Sequence, residues 1–137
     1  MDGLTAYVIV YFGHLMNASE RRARKHLICA QPLTEAEQRL RDGIAWEEAK
    51  GNAVPAQFNS LLLQRRSGLS DDPAILRLAS GGLEAFFERT ARRILAEDRD
   101  KVFLNSCPSC GTLARTPKAR QCRFCGHDWH SNSATLI

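Results

Sequence analysis

The sequence lacks a long apolar run. Its most hydrophobic stretch, Leu4 to Phe12, is well short of the ~20 residues a helix needs to cross a bilayer. The residues before it lack the positive flank of a secretory signal, so the expected compartment is the cytosol and no membrane association is expected. Also missing are a glycine-rich phosphate loop, a G-x-S-x-G nucleophile turn and an H-E-x-x-H helix. Their absence excludes the usual signatures of nucleotide hydrolysis, serine hydrolysis and zinc proteolysis. The pair Gly81-Gly82 punctuates helices and is no phosphate cradle. Aromatics make up only 7% of the chain, which leaves little for base stacking. Excess charge is scarce too, since residues 1–106 carry 15 basic and 14 acidic side chains. The formal net charge of +4 therefore comes mostly from Arg115, Lys118, Arg120 and Arg123 against Asp128.

What the sequence has is cysteine in a pattern. Cys107-Pro108-Ser109-Cys110-Gly111 and Cys122-Arg123-Phe124-Cys125-Gly126 are two Cys-x-x-Cys-Gly units, which place four thiolates on two tight turns. That set and spacing match a closed tetrahedral Zn²⁺ site of structural type, and one zinc per chain is expected. The glycine after each second cysteine accepts a positive φ and lets backbone N–H groups face sulfur. Two disulfides, or four unrelated thiols, are the other readings, and a reducing cytosol disfavours the former. Cys29 has no Cys or His at ligand spacing and reads as a small apolar residue. A histidine from His127-Asp128-Trp129-His130 replacing one cysteine, iron in place of zinc, and a metal hydrolase centred on His127 and His130 remain open. A catalytic zinc, however, keeps an open position that four thiolates do not leave.

The segment resembles zinc-ribbon domains with rubredoxin-type knuckles. The resemblance covers about a quarter of the chain, Cys107, Cys110, Cys122 and Cys125 standing at the ligand positions. The stretch from Cys107 to His130 also looks like the C-terminus of small bacterial proteins of unassigned function. The resemblance implies a small β zinc ribbon, here with a short interval from Thr112 to Gln121 that holds one hairpin. A treble-clef arrangement fits less well, because the residues after Gly126 do not read as a helix.

The rest of the chain reads as helices. Leu4, Tyr7, Val8, Tyr11 and Leu15 recur at helical spacing, although Val8-Ile9-Val10 leaves a strand open. Asn17 with Glu20, and Thr34 with Glu37, are capping boxes that open helices over about 18–30 and 35–50. Leu40, Ile44 and Trp46 are apolar positions of the second. Pro55 starts a helix with Phe58, Leu61, Leu62 and Arg65 at i, i+3, i+4, i+7, and Asp72-Pro73 opens a short one carrying Ile75 and Leu76. Leu83, Phe86, Phe87, Ala91, Ile94 and Leu95 stripe a helix ending near Glu97. Val102-Phe103-Leu104 reads as a strand entering the first knuckle, and Ser131 to Ile137 as a loose tail.

The expected fold is mainly α, with a helical domain over 1–101 and a β zinc ribbon and tail over 102–137. The expected role is a non-enzymatic zinc-binding interaction or adaptor module with a protein partner. A nucleic-acid binder using Arg115, Lys118, Arg120 and Arg123, joined by the Arg21 to Lys25 face, is the first competitor. Counting Zn²⁺ and four thiolates lowers the ribbon's charge from +3 to about +1, so such binding is expected to be weak and sequence-indifferent. Trp129 and Phe124 are expected to cover the metal.

Overall fold

Side-chain caps decide where four of the helices start. The computed structural model describes residues 1–130, the side chains of Gln57, Phe58 and Leu61 excepted. The expected apolar contacts of Phe58 and Leu61 and the expected tail from Ser131 to Ile137 therefore lie outside the described residues. The α-helices are α1 (Gly3–Phe12), α2 (Ala18–Cys29), α3 (Glu35–Ala49), α4 (Ala56–Gly68), α5 (Pro73–Leu78) and α6 (Gly82–Glu97). Asn17 and Glu20 close a reciprocal box at 2.8 and 2.9 Å, and Thr34 and Glu37 do the same at 3.2 and 3.0 Å. The Asp72 carboxylate accepts from Ala74 N at 3.0 Å with Pro73 in the first turn of α5. A further cap is Asp2, whose Oδ1 accepts from Thr5 N at 2.7 Å and starts α1.

The chain divides into two compact units, Asn17–Phe86 on one side and Met1–Met16 with Phe87–Ile137 on the other. The sequence placed a boundary at 101/102 instead. The division falls within α6, between Phe86 and Phe87.

In the unit from Asn17 to Phe86, α2 packs against α4 and α5, and α3 against α4. Arg65 organises the α3–α4 contact. Its guanidinium donates to both Glu37 carboxylate oxygens at 2.6 and 3.1 Å and to the carbonyls of Cys29 and Gln31 at 3.2 and 2.7 Å. The Thr34 N–H, and then Arg65, hold the Glu37 carboxyl below the usual carboxylate range. His26 Nδ1 accepts from Ser70 N at 2.9 Å and ties α2 to the approach to α5. Gly68 ends α4 directly over Cys29, so a Cβ there would run into the cysteine sulfur. Cys29 is half-buried in that contact. Trp46, expected among the apolar positions of α3, is 63% exposed with the Lys50 ammonium 4.5 Å above its ring. Cation–π contact with its own helix, rather than burial, gives that ring a partner.

The other unit is built around Tyr7, Val8, Met16, Ala91, Ile94 and Val102, with Leu104 and Leu113 packed against them. This core explains why Val8-Ile9-Val10 is helical: Val8 is fully buried against α6, and tertiary packing overrides β-branched propensity. Arg93 on α6 donates to the Leu15 carbonyl at 3.0 Å and lies 3.5 Å from the Asp98 carboxylate. The Tyr7 hydroxyl donates to the Phe103 carbonyl at 2.6 Å and accepts from Asn105 N at 3.3 Å.

Those last two bonds bear on the expected β ribbon. No strand forms among the described residues, and Val102-Phe103-Leu104 has no sheet partner. The knuckle segment has only two isolated antiparallel bridges, Ser106 with Leu113 and Gln121 with Asp128. The Tyr7 hydroxyl occupies the carbonyl and N–H that a strand would offer a neighbour, and each knuckle turns back on itself after one bridge.

Candidate metal centre

Each knuckle is a backbone turn wrapped around its own first sulfur. In the first, Ser109 N and Cys110 N donate to Cys107 Sγ at 3.4 and 3.5 Å. In the second, Phe124 N and Cys125 N donate to Cys122 Sγ at the same two distances. Gly111 and Gly126 both take φ of 76°, the left-handed region that glycine enters without steric cost, as the sequence predicts. Their N–H groups close the turns onto the carbonyls of Cys107 and Cys122 at 2.8 and 3.1 Å.

The two knuckles are copies at an offset of 15 residues. The bond from Cys107 N to the Thr112 carbonyl is matched by Cys122 N to His127, and Ala114 N to Asn105 by Trp129 N to Arg120. The bridge from Ser106 to Leu113 recurs as Gln121 to Asp128. Repetition thus extends beyond the Cys-x-x-Cys-Gly units to the segments Asn105–Ala114 and Arg120–Trp129. The final pair, Ala114 and Trp129, packs with Cys107 and Cys122 in one buried cluster.

All four sulfurs lie within 4.8 Å of one another. Cys107 Sγ is 3.6 Å from Cys125 Sγ, and Cys110 Sγ is 3.5 Å from Cys122 Sγ. A disulfide needs about 2.05 Å, so these cysteines are unbonded. A tetrahedral ion at ~2.3 Å from each sulfur would set neighbouring sulfurs ~3.8 Å apart, close to the spacing present. The residues fit a metal ion. Cys107 and Cys122 are buried, whereas Cys110 and Cys125 face outward.

Without a cation the four thiols cannot ionise together. The hydroxyl of Thr112, 3.2 Å from Cys110 Sγ, and then its backbone N–H lower the Cys110 thiol to about 6. At Cys125 the His127 N–H acts downward, but desolvation and hydrogen bonding with Cys107, Cys122 and Cys110 outweigh it and push the thiol up to about 11. A divalent cation removes the conflict by stabilising every thiolate at once.

The remaining sequence candidates fall outside this cluster. The His127 ring stacks on Trp129, with centroids 6.0 Å apart and planes at 18°. His130 Nδ1 lies 2.6 Å from Asp128 Oδ1 at the surface, and its N–H and ring both lower the Asp128 carboxyl. Neither histidine belongs to the four-sulfur group. Trp129 is 5% exposed and covers the buried sulfurs as expected, but Phe124 is 77% exposed and covers nothing. Phe124 sits at the outer tip of its knuckle, between Cys122 and Cys125, where the turn directs it to solvent. Arg115, Lys118, Arg120 and Arg123 are exposed around the knuckles. The Arg21, Arg24 and Lys25 face belongs to the other unit.

Sequence reasoning missed Asn105. Its side chain donates to the carbonyls of Thr116 and Ala119 at 2.9 and 2.8 Å, pinning the loop that joins the knuckles. Asn105 is buried, and the only signal for it in the sequence is its place two residues before the first cysteine.

No helix among the described residues is long and apolar enough to cross a membrane. No protein-family model, curated protein or solved structure matches the chain. The likeness to zinc ribbons rests on the four cysteines and their geometry alone.

Proposed function

We propose that this chain is a non-enzymatic, cytosolic zinc protein whose knuckle pair, braced by α1 and the C-terminal half of α6, acts as a module for binding another protein. The observation that carries this reading is the composition of the metal-competent cluster. It consists of four cysteines, with both neighbouring histidines engaged elsewhere. Four thiolates saturate a tetrahedral ion, so no position is left for a substrate or an activated water. Zinc is the ion chosen because an all-sulfur tetrahedral site on two knuckles suits it, and because the helices supply nothing an electron carrier would use. An interaction role is supported by side chains that cost burial energy to leave in water, Val10 at 69% and Phe124 at 77% exposed among them.

Metal analysis of the purified chain by native mass spectrometry tests this reading. One zinc per chain is expected, lost in Cys110→Ser and Cys125→Ser and kept in Cys29→Ser. Iron at stoichiometric level, or loss of metal in Cys29→Ser, defeats the assignment. Phosphoester or peptide hydrolysis abolished by His127→Ala or His130→Ala makes the protein an enzyme instead. For nucleic acid, four cations beside a dianionic metal–thiolate centre support only non-specific affinity, on the order of 10⁻⁴ to 10⁻⁶ M.

A further inference from the structure

Within the unit that holds the knuckles, α1 and the knuckle segment enclose a groove of about 490 Å³. One wall is the outer face of α1, with Leu4, Val10 and Tyr11 exposed at 42, 69 and 38%. The other wall carries Leu113 and Phe124, and Arg115 and Arg123 stand at its rim. Tyr7 joins the two sides, because its ring lines the groove while its hydroxyl is spent on Phe103 and Asn105. The lining thus has an anchored base and exposed apolar edges.

We infer that this groove binds an acidic peptide segment of another protein, with apolar side chains seated between Val10 and Phe124 and carboxylates on Arg115 and Arg123. Charge complementarity decides the occupant. Arg22, Arg39, Arg41, Arg65 and Arg93 each form an ion pair within the chain. Arg115 and Arg123 form none among the described residues, and they stand at the edge of this groove. Two unpaired guanidiniums beside an apolar trough match a ligand that is anionic and apolar together. A single-stranded nucleic acid would share the anions, but it needs stacking faces in series with a track of cations. Here the trough is lined by Leu4, Val10 and Leu113, which receive aliphatic or aromatic side chains better than base planes.

The inference rests on the reading of the protein as an interaction module, and the test separates the two. The full zinc-loaded chain is immobilised and used to select from a random-peptide phage library. The recovered peptides are then titrated by fluorescence anisotropy against wild type, Val10→Asp, Phe124→Ala and Arg115→Glu/Arg123→Glu. The mutated side chains are all exposed, and zinc content with helical signal verifies that each variant is folded. The expected result is enrichment of peptides combining Asp or Glu with Leu, Phe or Trp. Binding should fall at least about tenfold in Val10→Asp and in Phe124→Ala, and the charge-reversed variant should prefer lysine-substituted copies of the same peptides. Enriched peptides that bind Phe124→Ala as tightly as wild type, or that lack acidic residues, overturn the groove while leaving the module reading intact. No enrichment at all overturns both. Labelled oligo-dT that binds more tightly than any peptide, with the same dependence on Phe124 and Arg123, transfers the groove to nucleic acid and overturns the peptide assignment.

Discussion

Replacing Gly111 or Gly126 by alanine isolates the cost of a left-handed turn from other effects at the metal centre. Both glycines sit at φ of 76°, and a Cβ built on either meets no other atom within 4 Å. The substitution therefore brings no collision and removes no contact. What it adds is the penalty of an L-residue in the left-handed region, about 1–2 kcal/mol. Because such knuckles assemble with their metal, under the zinc assignment proposed above that penalty falls on zinc binding. Each single variant should lose about 5- to 30-fold in zinc affinity, since 1.4 kcal/mol is tenfold. The two turns are equivalent, so the losses should be similar and the double variant should show roughly their product. Competition against a chromophoric zinc chelator at fixed pH measures this directly. D-alanine introduced at position 111 by semisynthesis should restore wild-type affinity, because its preferred φ is positive. An unchanged affinity in Gly111→Ala would falsify the role of the turn. A loss beyond about a thousandfold in one variant and not the other would show that the knuckles are not equivalent.

Four other outcomes follow from particular contacts. Alkylation of the chelated chain at pH 7 should modify Cys110 before Cys125, although both face outward, because a thiol lowered to about 6 is mostly thiolate there and one raised to about 11 is not. Peptide mapping reads the order, and it should level out as pH rises toward 11. Chelation should red-shift the fluorescence of Trp129, 5% exposed, while leaving most helical circular dichroism in place, since α2 to α5 contain none of the four ligands. Collapse of the helical signal would show that the metal supports both units. Gly68→Ala should destabilise by about 1–3 kcal/mol in urea unfolding, and Cys29→Ala should rescue part of it by removing the sulfur that a Cβ at 68 meets. Asn105→Ala should cost about 2 kcal/mol and loosen residues 115–119 in hydrogen exchange, because two loop carbonyls lose their donor.

What the sequence disclosed and what it hid divide along the distance between interacting residues. The boxes at Asn17–Glu20 and Thr34–Glu37 and the cap at Asp72 each span two or three positions, so a local pattern carries the whole interaction. The four cysteines were legible for the same reason, since each pair is contained in one turn. The Tyr7 bonds to Phe103 and Asn105 join residues 96 and 98 positions apart, and no local rule marks either end. That pairing is what replaced a strand at Val102–Leu104 and, with the apolar core around Val8, what places α1 in the unit of the knuckles rather than with α2 to α5. Trp46 and Phe124 misled because aromatic character predicts burial only where a neighbour exists to cover the ring. One is satisfied by Lys50 of its own helix, and the other stands on a turn too tight to fold it inward. The 15-residue repeat was present in the cysteine spacing, but its reach to Ala114 and Trp129 needs the backbone bonds to be seen.

The grouping of Met1–Met16 with Phe87–Ile137 also governs the order of events on the ribosome. At about 5–20 residues per second, α1 leaves the exit tunnel and then waits about 5–20 s while roughly a hundred further residues are made. During that interval Val8 has neither Ile94 nor Val102 to cover it. The unit from Asn17 to Phe86 has its whole sequence available earlier and can close while α1 is still searching. Synthesis speed, ribosome-associated chaperones and metal supply therefore act on the unit that joins Met1–Met16 to the knuckles and leave the unit from Asn17 to Phe86 untouched. A pause engineered into the message after Phe86 has cleared the exit tunnel, and before Ile94 has, should prolong the vulnerability of α1 to proteases without slowing the folding of α2 to α5.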